Sequence, residues 1–140
     1  MTIMIKEDKE LLLQDLCARL PYGVICKDDY AKIEGKLSQI GINYDMCVLS
    51  DVYGKTEWAY IPNCKPYLFP LSSMTEEQKQ EYSYIVNYIS PDDTENWKES
   101  EFIYVEQFTQ LMHFYHINHL DYRGLIPIGL AIDATGLNIY

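Results

Sequence analysis

Residues 22–69, YGVICKDDYAKIEGKLSQIGINYDMCVLSDVYGKTEWAYIPNCKPYLF, decide the fold. Four short runs inside this stretch, YGVICK (22–27), KIEGKLSQI (32–40), DMCVLSD (45–51) and EWAYIP (57–62), are rich in β-branched and aromatic residues. They are separated by Asp28-Asp29, Gly41-Ile42-Asn43 and Tyr53-Gly54-Lys55, each with the turn chemistry of a hairpin connection. The pattern predicts a four- or five-stranded antiparallel meander over 22–70, with KPYLF (65–69) as its last strand. So many short strands in so short a span curl strongly, and the specific form expected is a small SH3-like barrel. Gly35, inside the second run, suits a bulge or bend.

Helical periodicity flanks this region on both sides. In KELLLQDLCARL (9–20) the residues Leu12, Leu13, Leu16, Cys17 and Leu20 recur at helical spacing until Pro21 stops them, which predicts a helix within 1–20. In LSSMTEEQKQEYSYIVNYISP (71–91), Thr75 and Gln78 form a capping-box pattern. Glu76 and Glu77 follow where the helix dipole favours negative charge, and Pro91 lies past the end. Tyr82, Ile85, Val86 and Ile89 are its expected buried stripe. DDTENWKES (92–100) reads as a loop, and Val105, Phe108, Leu111, Met112 and Tyr115 mark a further helix to about Asn118. These two helices occupy 73–119.

The remaining segment, 120–140, is apolar and punctuated by glycine. Leu125, Ile126, Ile128, Leu130, Ile132, Leu137 and Ile139 are too apolar to stay solvated, so the tail is expected to close the core, at about 1.5 to 3 kcal/mol per buried side chain. Gly124, Gly129 and Gly136 would permit its turns. The whole reads as one α+β domain, 1–140: an N-terminal helix, a small curved antiparallel sheet, two further helices and a packed C-terminal segment.

The composition agrees with one core and narrows the function. The chain has 140 residues, 48% of them hydrophobic, and 13 tyrosines, which suits a single globular domain. No run approaches a membrane span, and MTIMIKEDKE turns charged too early for a signal-peptide core, so a cytoplasmic protein is expected. Cys17, Cys26, Cys47 and Cys64 are widely spaced without a C-x-x-C pair and read as reduced core thiols. The net charge of −10 is concentrated in residues 71–120, which hold 2 basic and 9 acidic groups. Without clustered Lys and Arg, direct nucleic-acid binding is not expected.

No catalytic motif stands out. His113, His116 and His119 are spaced three apart, so neighbouring pairs could share a helix face, but a zinc site needs further ligands and only Asp121 is local. They read as surface or helix-end histidines, with no metal. There is no G-x-S-x-G elbow, P-loop or G-x-G-x-x-G, and the adjacent carboxylates Asp28-Asp29, Glu76-Glu77 and Asp92-Asp93 have turn and dipole explanations. No cofactor is expected. His119, Asp121, Arg123, Asp133 and Thr135 form a polar set in and beside the tail, either bracing turns or making a ligand or partner site.

Three stretches, LLLQDLCARLPYGVICK, CKPYLFPLSSMTEEQKQEY and NHLDYRGLIPIGLAIDATGLNIY, resemble a family of small proteins encoded by Bacteroides and related gut bacteria, their prophages and phages. The resemblance covers both ends and the centre of the chain and brings no enzymatic activity with it. It implies a phage or mobile-element accessory protein that binds host machinery or counters host defence. With it, the acidic segment reads as a partner surface formed by Glu76, Glu77, Tyr84, Tyr88, Asp92, Asp93, Glu95, Trp97 and Glu99, with Tyr60 as a further aromatic anchor. The partner would be a host or phage protein. The rival expectation is a small-molecule or nucleotide-binding, sequestering protein with Arg19 or Arg123 pointing into a closed cavity.

Overall fold

The computed structural model describes residues 4–87 and 97–140. Helix α1 (Lys6–Arg19) leads into strands β1 (Ile25–Asp28), β2 (Ile33–Gly41), β3 (Met46–Ser50), β4 (Thr56–Tyr60) and β5 (Cys64–Pro70). Helices α2 (Glu76–Val86) and α3 (Trp97–Ile117) follow, and the tail adds two-residue strands β6 (Leu120–Asp121) and β7 (Ile132–Asp133). The α+β architecture expected from the periodicities is the one observed. No helix among the described residues is long and apolar enough to cross a membrane.

Strands β1 to β4 form the meander, each antiparallel to the next. Strand β5 does not continue it. A 3-10 turn, Ile61–Asn63, carries the chain back to the free edge of β1, where β5 pairs antiparallel. The tail then pairs parallel with β5 through both β6 and β7. The sheet order is β4-β3-β2-β1-β5-β6, so the sheet is mixed and open, and the expectation of a closed SH3-like barrel is not met. The reason is visible in the core. Leu12 and Leu16 of α1 pack in the same cluster as Leu37, Ala59, Ile61 and Leu68, so a helix covers the side of the sheet that a β4–β5 seam would have closed.

The tail closes this core as its composition requires, but with fewer residues than expected. Leu125, Leu130, Ala131 and Ala134 are buried, whereas Ile128 and Leu137 are about half exposed. Its glycines 124, 129 and 136 all take positive φ, at 75°, 79° and 77°, where a Cβ would be strained. A second cluster, built on Ile85, Phe114 and Leu120 with Phe69 and Tyr82 against it, joins α2 and α3 to β5.

Several local expectations need correction. Cys17 is exposed on α1, because the buried face runs through Leu12, Asp15, Leu16 and Arg19 instead. The other three cysteines are buried. Residues 97–100, read as loop, begin α3. On that helix Val105 and Phe108 are exposed and Phe114 is the core residue. The capping box of α2 is present as read: Gln78 N donates to Thr75 Oγ1 at 3.1 Å and Thr75 N donates to Gln78 Oε1 at 2.9 Å. Ile89, Tyr88, Pro91, Asp92, Asp93 and Glu95 lie outside the described residues.

Gly35 has a different role from the bend expected of it. The irregularity of β2 lies between Leu37 and Gln39, while a Cβ on Gly35 would come within 2.4 Å of the Ser50 carbonyl oxygen on β3. Neither backbone can give way without breaking the ladder. Gly35→Ala should therefore lower stability by about 1 to 3 kcal/mol, read as a reduced urea midpoint with unchanged slope.

Candidate functional site

The chemistry-bearing side chains gather where the end of α1, the end of α3 and the start of the tail meet. Asp15 and Arg19 are one turn apart on α1 and both fully buried. Arg19 Nε donates to Asp15 Oδ2 at 2.8 Å, and Arg19 Nη2 donates to the Leu120 carbonyl at 2.7 Å. Arg123 Nε stands 3.2 Å from Asp15 Oδ1 as an ion pair without a hydrogen bond between them. Both guanidinium carbons lie over the Tyr122 ring, at 5.3 Å for Arg19 and 5.1 Å for Arg123. Two cations facing a ring quadrupole and sharing one carboxylate are a favourable buried arrangement.

Asp121 completes the charge balance. It is buried, and its two carboxylate oxygens accept the backbone N–H groups of Leu125 at 2.8 Å and Ile126 at 2.9 Å, fixing the turn that sends Leu125 into the core. Burial pushes the Asp15 carboxyl above its usual range, against the pull of Arg19 and Arg123.

The three histidines do not behave alike. His113 is exposed, with Nδ1 at 3.2 Å from the Tyr22 hydroxyl. His116 is buried, contrary to the surface reading, and Nε2 lies 2.7 Å from the Tyr122 hydroxyl. His119, half-buried, stacks on Tyr140 with ring centroids 3.7 Å apart. Burial, with Arg19, Arg123 and His113 adding to it, pulls His116 down to about 4, and burial and Arg19 pull His119 down to about 4. Both imidazoles are neutral near pH 7. Among the described residues no group of three or more His, Cys, Asp or Glu is placed to hold a metal ion.

Beside this cluster lies a cleft of about 860 Å³ between the end of α1, α2 and α3. Tyr22, His113 and His116 belong to both features, while Tyr84, Phe108 and Met112 supply much of the apolar lining. Tyr84 and Phe108 are 67% and 61% exposed, so large apolar area meets solvent here. Glu81 is a charged residue of the lining, and Glu76 and Glu77 stand exposed earlier on the same helix. Arg19 and Arg123 are absent from the lining, which contains neither Lys nor Arg among the described residues. A smaller concavity of about 550 Å³ lies elsewhere, between the start of α1 and the tail around Tyr30, Pro62 and Leu130.

The expected partner surface is therefore only partly assembled. Glu76, Glu77 and Tyr84 share α2, and Trp97 and Glu99 open α3, whereas Tyr60 stands on the edge strand β4 beside the exposed Trp58. The tail's polar set separates in the same way. Asp121 and Arg123 turn towards α1, but Asp133 is exposed and accepts the Thr135 N–H at 2.9 Å in a local turn. Phe108, Met112 and Phe114 were read only as helix-forming positions or passed over, and the apolar width of α3 was the signal available for them.

The histidine environment sets a pH dependence. In the unfolded chain an imidazole titrates near about 6.5, so above that pH both states are neutral and the stability is complete. As pH falls from about 6.5 to about 4 the unfolded chain takes up protons that folded His116 refuses, and stability is lost across that window. The loss should be on the order of 2 to 3 kcal/mol for His116. Urea midpoints at pH 7 and pH 4.5 measure it, and His116→Gln should reduce the difference by about half, because His119 titrates over the same window. A separate expectation concerns the ion pair: Arg19→Met strands Asp15 beside Arg123 alone and should cost about 3 to 5 kcal/mol by the same denaturation.

Compared with known proteins, the chain matches no family model, no curated protein and no solved structure.

Proposed function

We propose that the chain is a non-enzymatic protein-interaction module whose docking site is the cleft between α2 and α3. The carrying observation is the cleft itself: an open apolar lining with Tyr84 and Phe108 exposed and Glu81 of α2 in its wall, on a helix that also exposes Glu76 and Glu77. Aromatic side chains of this kind are typical anchors, and the acidic border selects for a partner segment that is basic as well as apolar. In the phage or mobile-element setting implied by the resemblance, the protein acts in the bacterial cytoplasm. There it binds a basic surface of a host protein, such as one that handles nucleic acid, as an acidic inhibitor in an anti-defence role.

The nucleotide-binding alternative has less support. A phosphate-bearing ligand calls for a cation or a helix N-terminus, and among the described residues the cleft lining supplies no Lys or Arg. Arg19, the candidate for that role, is fully buried on Asp15 and the Leu120 carbonyl. An uncharged aromatic small molecule is chemically compatible with the lining and is distinguished by the same experiment.

Capture from host lysate would compare the native chain with two variants, Phe108→Ser and the triple Glu76→Gln, Glu77→Gln, Glu81→Gln. All four side chains are exposed, so the fold should survive. A stoichiometric partner should weaken about 30-fold with Phe108→Ser and bind less tightly in the triple variant or at high salt. A partner indifferent to both variants refutes this site. A metabolite in the eluate without a protein partner favours the sequestering alternative.

A further inference from the structure

Three of the four cysteines, Cys26, Cys47 and Cys64, are fully buried in the core between the sheet and α1. Two of them are in direct contact. Cys47 Sγ on β3 and Cys64 Sγ on β5 are 3.5 Å apart, close enough for one thiol to donate to the other. Their strands share no ladder, because β2 and β1 lie between β3 and β5 in the sheet order. The contact therefore crosses the hollow of the curled sheet, between residues that sequence spacing gives no reason to associate. Neighbouring Cys26 pairs with Pro66 of β5 in the β1 register, leaving the sulfur–sulfur contact to Cys47 and Cys64.

The geometry points to Cys47 and Cys64 as an oxidisable pair that forms a disulfide when a hydroperoxide reaches the core. Bonding distance for two sulfurs is about 2 Å, so closure needs a movement of roughly 1.5 Å shared between two side chains. Either thiol can donate to the other, so the first attack comes from whichever sulfur of the pair loses its proton, with its partner 3.5 Å away to resolve the product.

The step balances with hydrogen peroxide as the oxidant. The thiolate of one cysteine attacks one peroxide oxygen, forming S–O and breaking O–O, and the departing hydroxide takes the thiol's proton to become water. The sulfur of the other cysteine then attacks the sulfenic sulfur, forming S–S and breaking S–O, and a second water leaves with the remaining thiol proton. Two thiols are oxidised and one peroxide is reduced. The product closes residues 47–64 into a covalent loop that contains all of β4, so oxidation staples β3 to β5, the strand beyond β1.

The test uses the full chain carrying Cys17→Ser, since Cys17 is the exposed thiol and would otherwise link chains to one another. Folded protein is treated with hydrogen peroxide, its remaining thiols are alkylated under denaturing conditions, and the unreduced digest is mapped by mass spectrometry. The expected product is a linked peptide pair containing Cys47 and Cys64, with Cys26 alkylated. Its thermal midpoint should rise by roughly 5 to 10 °C over the reduced protein and return on treatment with a dithiol reductant. Three results overturn the proposal: all three buried thiols alkylated after treatment, oxidation halted at a single cysteine, or a bridge that includes Cys26. Oxidation in concentrated urea serves as the control and should give mixed pairings, showing that selectivity comes from the fold.

Discussion

The architecture depends on one buried guanidinium. Arg19 sits in the last turn of α1, where a cation complements the helix dipole, and is nevertheless fully removed from solvent. Burying such a charge is tolerable only with close partners, and three come from two parts of the chain: Asp15 one turn back, and the Leu120 carbonyl and Tyr122 ring after α3. Because two of the three belong to the segment after α3, the helix end is satisfied only when the C-terminal segment is in place. Asp121 then holds the next turn through the N–H groups of Leu125 and Ile126, which seats Leu125 in the core of α1 and the sheet. The segment that supplies the hydrogen bond to Arg19 Nη2 also supplies the hydrophobic closure, while Arg19 Nη1 is left without a hydrogen-bond partner.

That coupling explains what could be read in advance. The capping box of α2 was legible because both of its hydrogen bonds lie within three residues, and the β1–β4 meander because hairpins are local. The position of β5 was not legible. Its neighbours β1, β6 and β7 are remote in sequence, and alternation within KPYLF fits an edge beside β4 as well as one beside β1. Asp15 and Arg19 were hidden for a related reason: an i, i+4 pair on a helix resembles an ordinary surface ion pair. Their positions with Leu12 and Leu16 at spacings of three and four were the available sign that the pair shares the buried face.

The same principle separates the histidines and the thiols. His116 and Tyr122 are six residues apart and meet because the chain turns sharply at His119, a non-glycine residue with φ of 54°. Spacing of three suggested a metal-site pattern, yet the fold gives the imidazoles different polar or stacking partners, the Tyr22 hydroxyl for His113, the Tyr122 hydroxyl for His116 and the Tyr140 ring for His119, with the Tyr22 ring also against His116. Cys47 and Cys64 are brought together by the return of β5 to the edge of β1, the step that the sequence conceals. Sites assembled by that return cannot be found by scanning for motifs.

The cleft runs along the contact of two helices of unequal length. At about 1.5 Å per residue, α3 rises about 30 Å and α2 about 16 Å, so α2 can cover only part of its longer neighbour. Phe114, towards the C-terminal end of α3, packs with Ile85 of α2 and with Leu120 and is buried. Phe108 and Val105, one and a half and two and a half turns earlier, remain exposed among the described residues. Gln107 marks the transition, donating at 2.9 and 2.8 Å to the carbonyls of Ile85 and Val86 where α2 ends. Phe108 and Met112 therefore line a concavity alongside Tyr84 and Ile85 of α2, whose wall also carries Glu81. An apolar surface flanked by a carboxylate is a physical basis for binding a basic, apolar segment, independent of any catalytic motif.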